Sequence, residues 1–317
     1  LYGEENYWSY LKLFQSADYS KKFLNVCYSK QQIKEPDSSS FNNCYSFMYY
    51  LEQGELYLKE SLHTPLSIKP ILIFYGYVHL IKACVLTVDP KYPETTSVLA
   101  HGVTTRKRKK QQYSFLKDEV KIQRNGLFSH FTNKMFHVKH MESEKFKMEE
   151  LLSQIPELAE AFYYLLDKNH LIELGNNNRI ILPNNLINHF HMSDDLLKQY
   201  LTEKMGEKVI WLRSNEIQLT NHGFEAPPIR FNLKKHSYFF SIYRNNAFLL
   251  PEPIIYYLTL YNLSMIARYE IEWWMELLKS TPNEDFPIID QFVSVVYNKI
   301  PYFITSFLKA KIKGENI

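Results

Sequence analysis

Residues 69–88, KPILIFYGYVHLIKACVLTV, are apolar on nearly every face of a helix, yet three polar side chains interrupt the run. Tyr75, His79 and Lys82 stand four and three residues apart, so a helix stacks them in one stripe. A helix that is apolar all round belongs in a core, where a lysine and a histidine are costly unless they meet partners. The stripe is therefore either a site or an internal hydrogen-bond network. Residues 252–280 repeat the pattern as a second long apolar helix, in which Ser264, Arg268 and Glu272 fall at i, i+4 and i+8. A guanidinium within LSMIARYEIEWW needs a carboxylate, with Glu270 or Glu272 at hand, or several carbonyls.

The remaining pattern orders the chain around these two helices. Apolar spacing predicts a helix over residues 7–28, then a polar loop through KEPDSSSFNN, then a helix starting at Asn43 or Ser46. Pro70 suits the first turn of the apolar helix. After DPKYPETT comes a loop with Thr104 or Thr105 as a helix cap, and DEVKIQRNGLFSHF alternates about Asn125-Gly126 as a β-hairpin does. MEELLSQIPELAEAFYYLL reads as helix, interrupted or bent at Pro156. From residue 169 the segments LIELGNNNRIILP, KVIWLRSNEIQLT and IRFNLKKHSYFFSIYRN are strand-like, with a short helix from Ser193 to Gly206 among them. Residues 286–312 form a last helix, kinked or split at Pro301.

The expected fold is thus α+β and predominantly helical. Residues 1–168 form a helical region with a short hairpin near 119–131, residues 169–250 a strand-rich region, and the helices of 251–317 pack on the first region in one shared core. Composition narrows the chemistry. Only 9 of 317 residues are glycine, which disfavours phosphate-cradling glycine loops, and no nucleotide-loop, zinc or nucleophile-elbow motif is present. No metal or cofactor is expected, and no catalytic residue is identified. Cys27, Cys44 and Cys84 form no framework, which points to a reducing cytosol. Nothing at the start of the sequence reads as a secretory signal, and His79, Lys82, Lys69 and Asp89 argue against a membrane span over 71–88.

A net charge of +3 is too small to imply nucleic acid from the overall field, but Arg106, Lys107, Arg108, Lys109 and Lys110 concentrate five charges. Such a run is either a solvated surface loop or a set of phosphate contacts. The inner candidates for an anion site are Tyr75, His79, Lys82, His101 on its His-Gly loop, and Arg268.

SIKPILIFYGYVHLIKACVLTVDPKYPETTSVLAHGVTTRKRKK together with LSMIARYEIEWW strongly resembles the YaaC-like proteins of Bacillus and relatives, over essentially the whole chain. That family is uncharacterised, so the resemblance implies membership in a bacterial family and no chemistry. A more distant likeness, KPxxxxYxxxxLxKA followed by the His-Gly loop and LSxxxRYxxxxW, is to helical HEPN-like proteins. HEPN ribonucleases carry an Arg-x4–6-His motif on a helix, and Arg124 with His130 and Arg230 with His236 match the spacing. Both pairs lie in segments expected to be strand or hairpin, where the side chains would not converge. The reading is of a cytoplasmic binding or regulatory protein for an anionic partner: nucleic acid, a nucleotide or an acidic protein surface. The alternatives are an HEPN-like ribonuclease or other phosphate-directed hydrolase, and a structural interaction protein without a ligand. A homodimer is compatible with all three.

Overall fold

The computed structural model describes residues 4–105, 113–139, 141–220 and 226–313. Helices take up 60% of it and strands 12%, so the fold is α+β with helices dominant. The chain opens with α1 (Glu4–Lys12), α2 (Ala17–Lys30), α3 (Pro36–Leu62) and α4 (Lys69–Leu86). The third of these begins well before Asn43. Pro36 sits at its first helical position with Asp37 in the first turn, and both favour helix initiation. The serine-rich stretch that reads as loop is therefore helical, with the Ser40 hydroxyl donating to the Asp37 carbonyl at 2.9 Å.

β1 (Val103–Thr105), β2 (Glu119–Ile122) and β3 (Lys145–Lys147) form a small antiparallel sheet in that order. Thr104 and Thr105 thus pair with Lys121 and Val120 and cap no helix. The hairpin expected near 119–131 is also absent. β2 stops at Ile122, and α5 (Leu127–Phe136) begins directly after Gly126. Gly126, at φ +135°, turns the chain into the helix, because β2 already has neighbours on both sides in β1 and β3. α6 (Met148–Leu152) and α7 (Ala159–Leu166) follow, separated at Pro156.

β4 (Leu171–Gly175), β5 (Arg179–Ile181), α8 (Leu186–Phe190), α9 (Asp194–Met205), β6 (Val209–Trp211), β7 (Glu216–Leu219), β8 (Ile229–Asn232) and β9 (Ser237–Ser241) make up the strand-rich part. Its strands form two antiparallel sheets, β4-β9-β8 and β5-β7-β6. Ser193 caps α9 by accepting from the Leu196 amide, and Gly206 ends it at φ +56°. These elements enclose their own apolar cluster, drawn from Ile180 to Phe248.

The chain closes with α10 (Glu252–Tyr269), α11 (Ile271–Ser280) and α12 (Asp285–Lys313). The long helix over 252–280 is in fact two, broken at Glu270 (φ −116°, ψ 47°), whereas α12 runs on through Pro301. Every residue of α10 from Glu252 to Ser264 is buried. α10 and α12 both pack on α4, so the main core is shared between the two ends of the chain. α4 is long and apolar enough to cross a membrane by composition, and two thirds of that window is buried inside the protein, as in a core helix.

Candidate functional site

On α4, Tyr75, His79 and Lys82 are half-buried, while most of their neighbours on the helix are buried. The stripe faces outward along one edge of the core and is walled by α3. Gly54 of α3 and Gly76 of α4 let the two helices approach closely: a Cβ on Gly76 would lie 3.0 Å from Tyr57 Cβ and 3.1 Å from the Gly54 carbonyl. That closeness sets the Tyr50 and Tyr57 rings beside His79, with centroids 6.1 and 5.6 Å away and both planes inclined by 27°. The Lys82 ammonium lies 5.6 Å from the Tyr50 ring centre.

Arg268 reaches the same face from the last turn of α10. Its Nη1 donates to the Tyr75 hydroxyl at 3.0 Å, its Nε to the Ser264 carbonyl at 3.1 Å, and its Nη2 contacts Met265 Sδ at 3.0 Å. Three of five guanidinium donors are engaged, so two remain for another partner. The group also lies over the Tyr75 and Tyr269 rings, at 5.6 and 5.2 Å. Glu270 and Glu272 are not its partners, because the break at Glu270 takes Glu272 off the α10 face. Among the described residues no carboxylate pairs with Lys82 or Arg268.

His101 completes the cluster from the loop ahead of β1. The Gly102 and Gly126 backbones cross there. The Leu127 amide donates to Ala100 O at 2.7 Å and the Phe128 amide to His101 O at 3.1 Å. Tyr257 of α10 donates its hydroxyl to the same His101 carbonyl at 2.9 Å. The imidazole lies 5.9 Å from the Tyr75 ring and 5.7 Å from Tyr261. Burial, then Arg268 and Lys82, hold His101 below its ordinary pKa. Burial, then Lys82, does the same to His79, whose Nδ1 is buried with no hydrogen-bond partner. Burial also lowers Lys82. Both imidazoles thus favour the neutral form beside two cations.

The five inner residues named from sequence therefore meet on one ring-lined cationic face. Such a face can hold a phosphate or carboxylate by charge-assisted hydrogen bonds. Tyr50, Tyr57 and Tyr261 escape sequence reasoning because they come from other helices. The basic run Arg106–Lys110 lies outside the described residues.

The two Arg–His pairs are not helical motifs. Arg124 precedes α5, and His130 within that helix places Nε2 3.1 Å from Asp89. Arg230 is fully buried on β8, donating to the carbonyls of Leu250, Ala247 and Phe248 at 2.6, 3.4 and 3.0 Å, while His236 sits in the following turn.

A second polar centre joins three segments whose meeting no spacing along the chain predicts. Lys299 of α12, with 3% of its side chain exposed, lies 3.0 Å from Glu157 and 2.6 Å from Glu252, on segments far apart in the chain. The usable signal is a charge on an apolar helix face: Lys299 beside Val296 and Ile300, and Glu252 opening the most apolar helix of the C-terminal part. No curated protein and no solved structure is similar to the chain. The YaaC-like protein family, by contrast, matches residues 12–308, and the match takes in the α4 stripe, the His-Gly loop and the Arg268 segment that build the cationic face. The chain belongs to the YaaC-like family.

Proposed function

We propose that this protein is a cytosolic binding or regulatory protein whose cationic face takes a phosphate-bearing ligand, a nucleotide or a single strand of nucleic acid. The observation that carries the reading is that Lys82 and Arg268 are half-buried, flank His101, and have no carboxylate partner among the described residues. A purely structural cation at such a depth is ordinarily paired. The row of Tyr50, His79, Tyr57 and Tyr75 favours a ligand that also has a planar ring, and so favours a nucleotide over an acidic protein surface. In this reading Arg106, Lys107, Arg108, Lys109 and Lys110 bind phosphates at the periphery and tolerate any sequence.

The test is anisotropy titration of a fluorescent single-stranded RNA and of ATP and AMP, at several salt concentrations. Lys82→Met with Arg268→Met should weaken binding by roughly a hundredfold, since two charge-assisted hydrogen bonds to the ligand disappear. The same pair should shift stability by only about 1 kcal/mol, because no buried carboxylate is stranded. Neutralising the five basic residues should leave ATP affinity intact and flatten the salt dependence for RNA by about 0.7 for each phosphate that is no longer neutralised. Failure of all three ligands to bind, or binding indifferent to the double variant, rejects the proposal. Cleavage of the RNA by the wild type, abolished in His101→Ala, would make the protein a ribonuclease instead.

A further inference from the structure

The two cations of the face stand at opposite ends of one row of rings. Tyr50, His79, Tyr57 and Tyr75 follow one another with centroids 6.1, 5.6 and 6.5 Å apart. The Lys82 ammonium lies over Tyr50 at one end and the Arg268 guanidinium over Tyr75 at the other, each 5.6 Å from the ring centre. Two helices fix that separation independently. Tyr75 and Lys82 are seven residues apart on α4, and Tyr50 and Tyr57 seven apart on α3, which is two turns or about 10 Å in each case. The close approach at Gly54 and Gly76 holds one span against the other.

Neither end is satisfied by the protein. Among the described residues Lys82 makes no hydrogen bond or ion pair, so its three N–H groups remain for a partner. Arg268 donates to Tyr75 and Ser264 and touches Met265, which leaves two N–H groups. A phosphate oxygen accepts from such donors at about 2.8 Å, so one phosphate serves cations that converge on it and does not span two turns of helix. Between the ends the face offers only the half-buried rings of Tyr50, His79 and Tyr57. Rings take the flat face of a base and give a phosphate no charge to bind.

Building on the reading of this face as a phosphate site, we infer that its ligand is a dinucleotide unit. One phosphate meets Lys82, a second meets Arg268, and the nucleoside between them lays its base along the tyrosine row. A mononucleotide has charge at one end only and occupies one cation at a time. The same unit exists as a free dinucleotide and at the phosphorylated 5′ end of a strand.

The test is calorimetric titration of the full chain with four ligands: 5′-phosphorylated diadenylate (pApA), ApA with its single phosphate, AMP, and hexane-1,6-diyl bisphosphate, which has two phosphates and no ring. pApA should bind about tenfold or more tightly than ApA or AMP, as expected for one further hydrogen bond between charged groups. The ringless bisphosphate should bind about tenfold more weakly than pApA for want of stacking. Lys82→Met alone and Arg268→Met alone should each bring pApA down to the affinity of ApA. Each should leave AMP within about threefold, because AMP uses the cation that remains. A 5′-phosphorylated hexa-adenylate separates the two sources: affinity equal to that of pApA assigns the unit to a strand end, and weaker binding assigns it to the free dinucleotide. Equal affinity of pApA and AMP, equal affinity of the ringless bisphosphate, or single variants that leave pApA unchanged overturns the inference while the phosphate site stands. Binding of none of the ligands removes the phosphate site and the inference together.

Discussion

Gly126→Ala is the sharpest test of how His101 is held. Gly126 has φ +135° and ψ 176°, a region that only glycine occupies readily. A Cβ there would stand 2.3 Å from Gly102 Cα, 2.4 Å from Gly102 N and 2.9 Å from the Ala100 carbonyl. All three neighbours are backbone, so no side-chain rotation relieves the clash. The backbone conformation alone costs about 1–3 kcal/mol and the overpacking about 1–3 more, giving about 2–6 kcal/mol in total. Gly175 supplies the control. It too has positive φ (+95°), but a Cβ would meet nothing within 4 Å, so Gly175→Ala should carry only the conformational cost of about 1–2 kcal/mol. Urea denaturation of the two variants isolates the crowding contribution. The loop over residues 100–102 must move away from α5 to make room, so ATP affinity should fall in Gly126→Ala and stay at the wild-type level in Gly175→Ala. Equal destabilisation by the two substitutions would refute the argument that crossed glycine backbones fix the His101 loop.

Other outcomes follow from the charged groups. Asp89 lies 3.1 Å from His130, 3.3 Å from Lys134 and 3.2 Å from the Lys91 amide, and the His130 contact first of all holds its carboxyl down to about 2. Because the folded pKa is depressed, its stabilisation is complete above the ordinary carboxylate value and disappears as pH falls through about 2. Asp89→Asn should therefore cost about 1–2 kcal/mol in urea melts at pH 7 and almost nothing at pH 2. Lys299→Met leaves Glu157 and Glu252 facing each other and should cost about 3–5 kcal/mol, with much of that stability regained when both glutamates become glutamine; no recovery would show that the ion cluster is not the cause. His79 and His101 are held below their ordinary pKa without ligand, by burial and by Lys82 and Arg268. A bound phosphate reverses that field, so binding should take up protons and tighten as pH falls from about 7.5 to about 6, by at most tenfold per pH unit for each histidine. Calorimetry in two buffers of different ionisation enthalpy measures the uptake, and proton release would contradict the site.

Spacing within a single helix is set by the backbone. For that reason the α4 stripe of Tyr75, His79 and Lys82, the Ser193-to-Gly206 helix and the break at Pro156 were all legible in the amino-acid order. Helical dominance with a minority of strands was legible for the same reason. Local signals misled where a competing neighbour decided the outcome. Asn125-Gly126 has the residues of a hairpin turn, but β2 was already flanked by β1 and β3, and Gly126 became a helix entry. The serines of α3 favour turns in isolation, yet Pro36 and Asp37 start a helix there whose later turns pack on α4. Arg268 was recognisable as a cation in need of an explanation. That it would bond Tyr75 and face His101 was not, because 193 residues separate the first pair and only the packing of α10 on α4 brings them together. The Glu157–Lys299–Glu252 cluster depends on segments 142 and 47 residues apart, on the short 3₁₀ turn Pro156–Leu158 and two helices with no shared period. Periodicity along the chain follows from backbone geometry and is written locally. Which faces meet follows from burying the apolar surface of the whole molecule at once, and only the tertiary structure settles that.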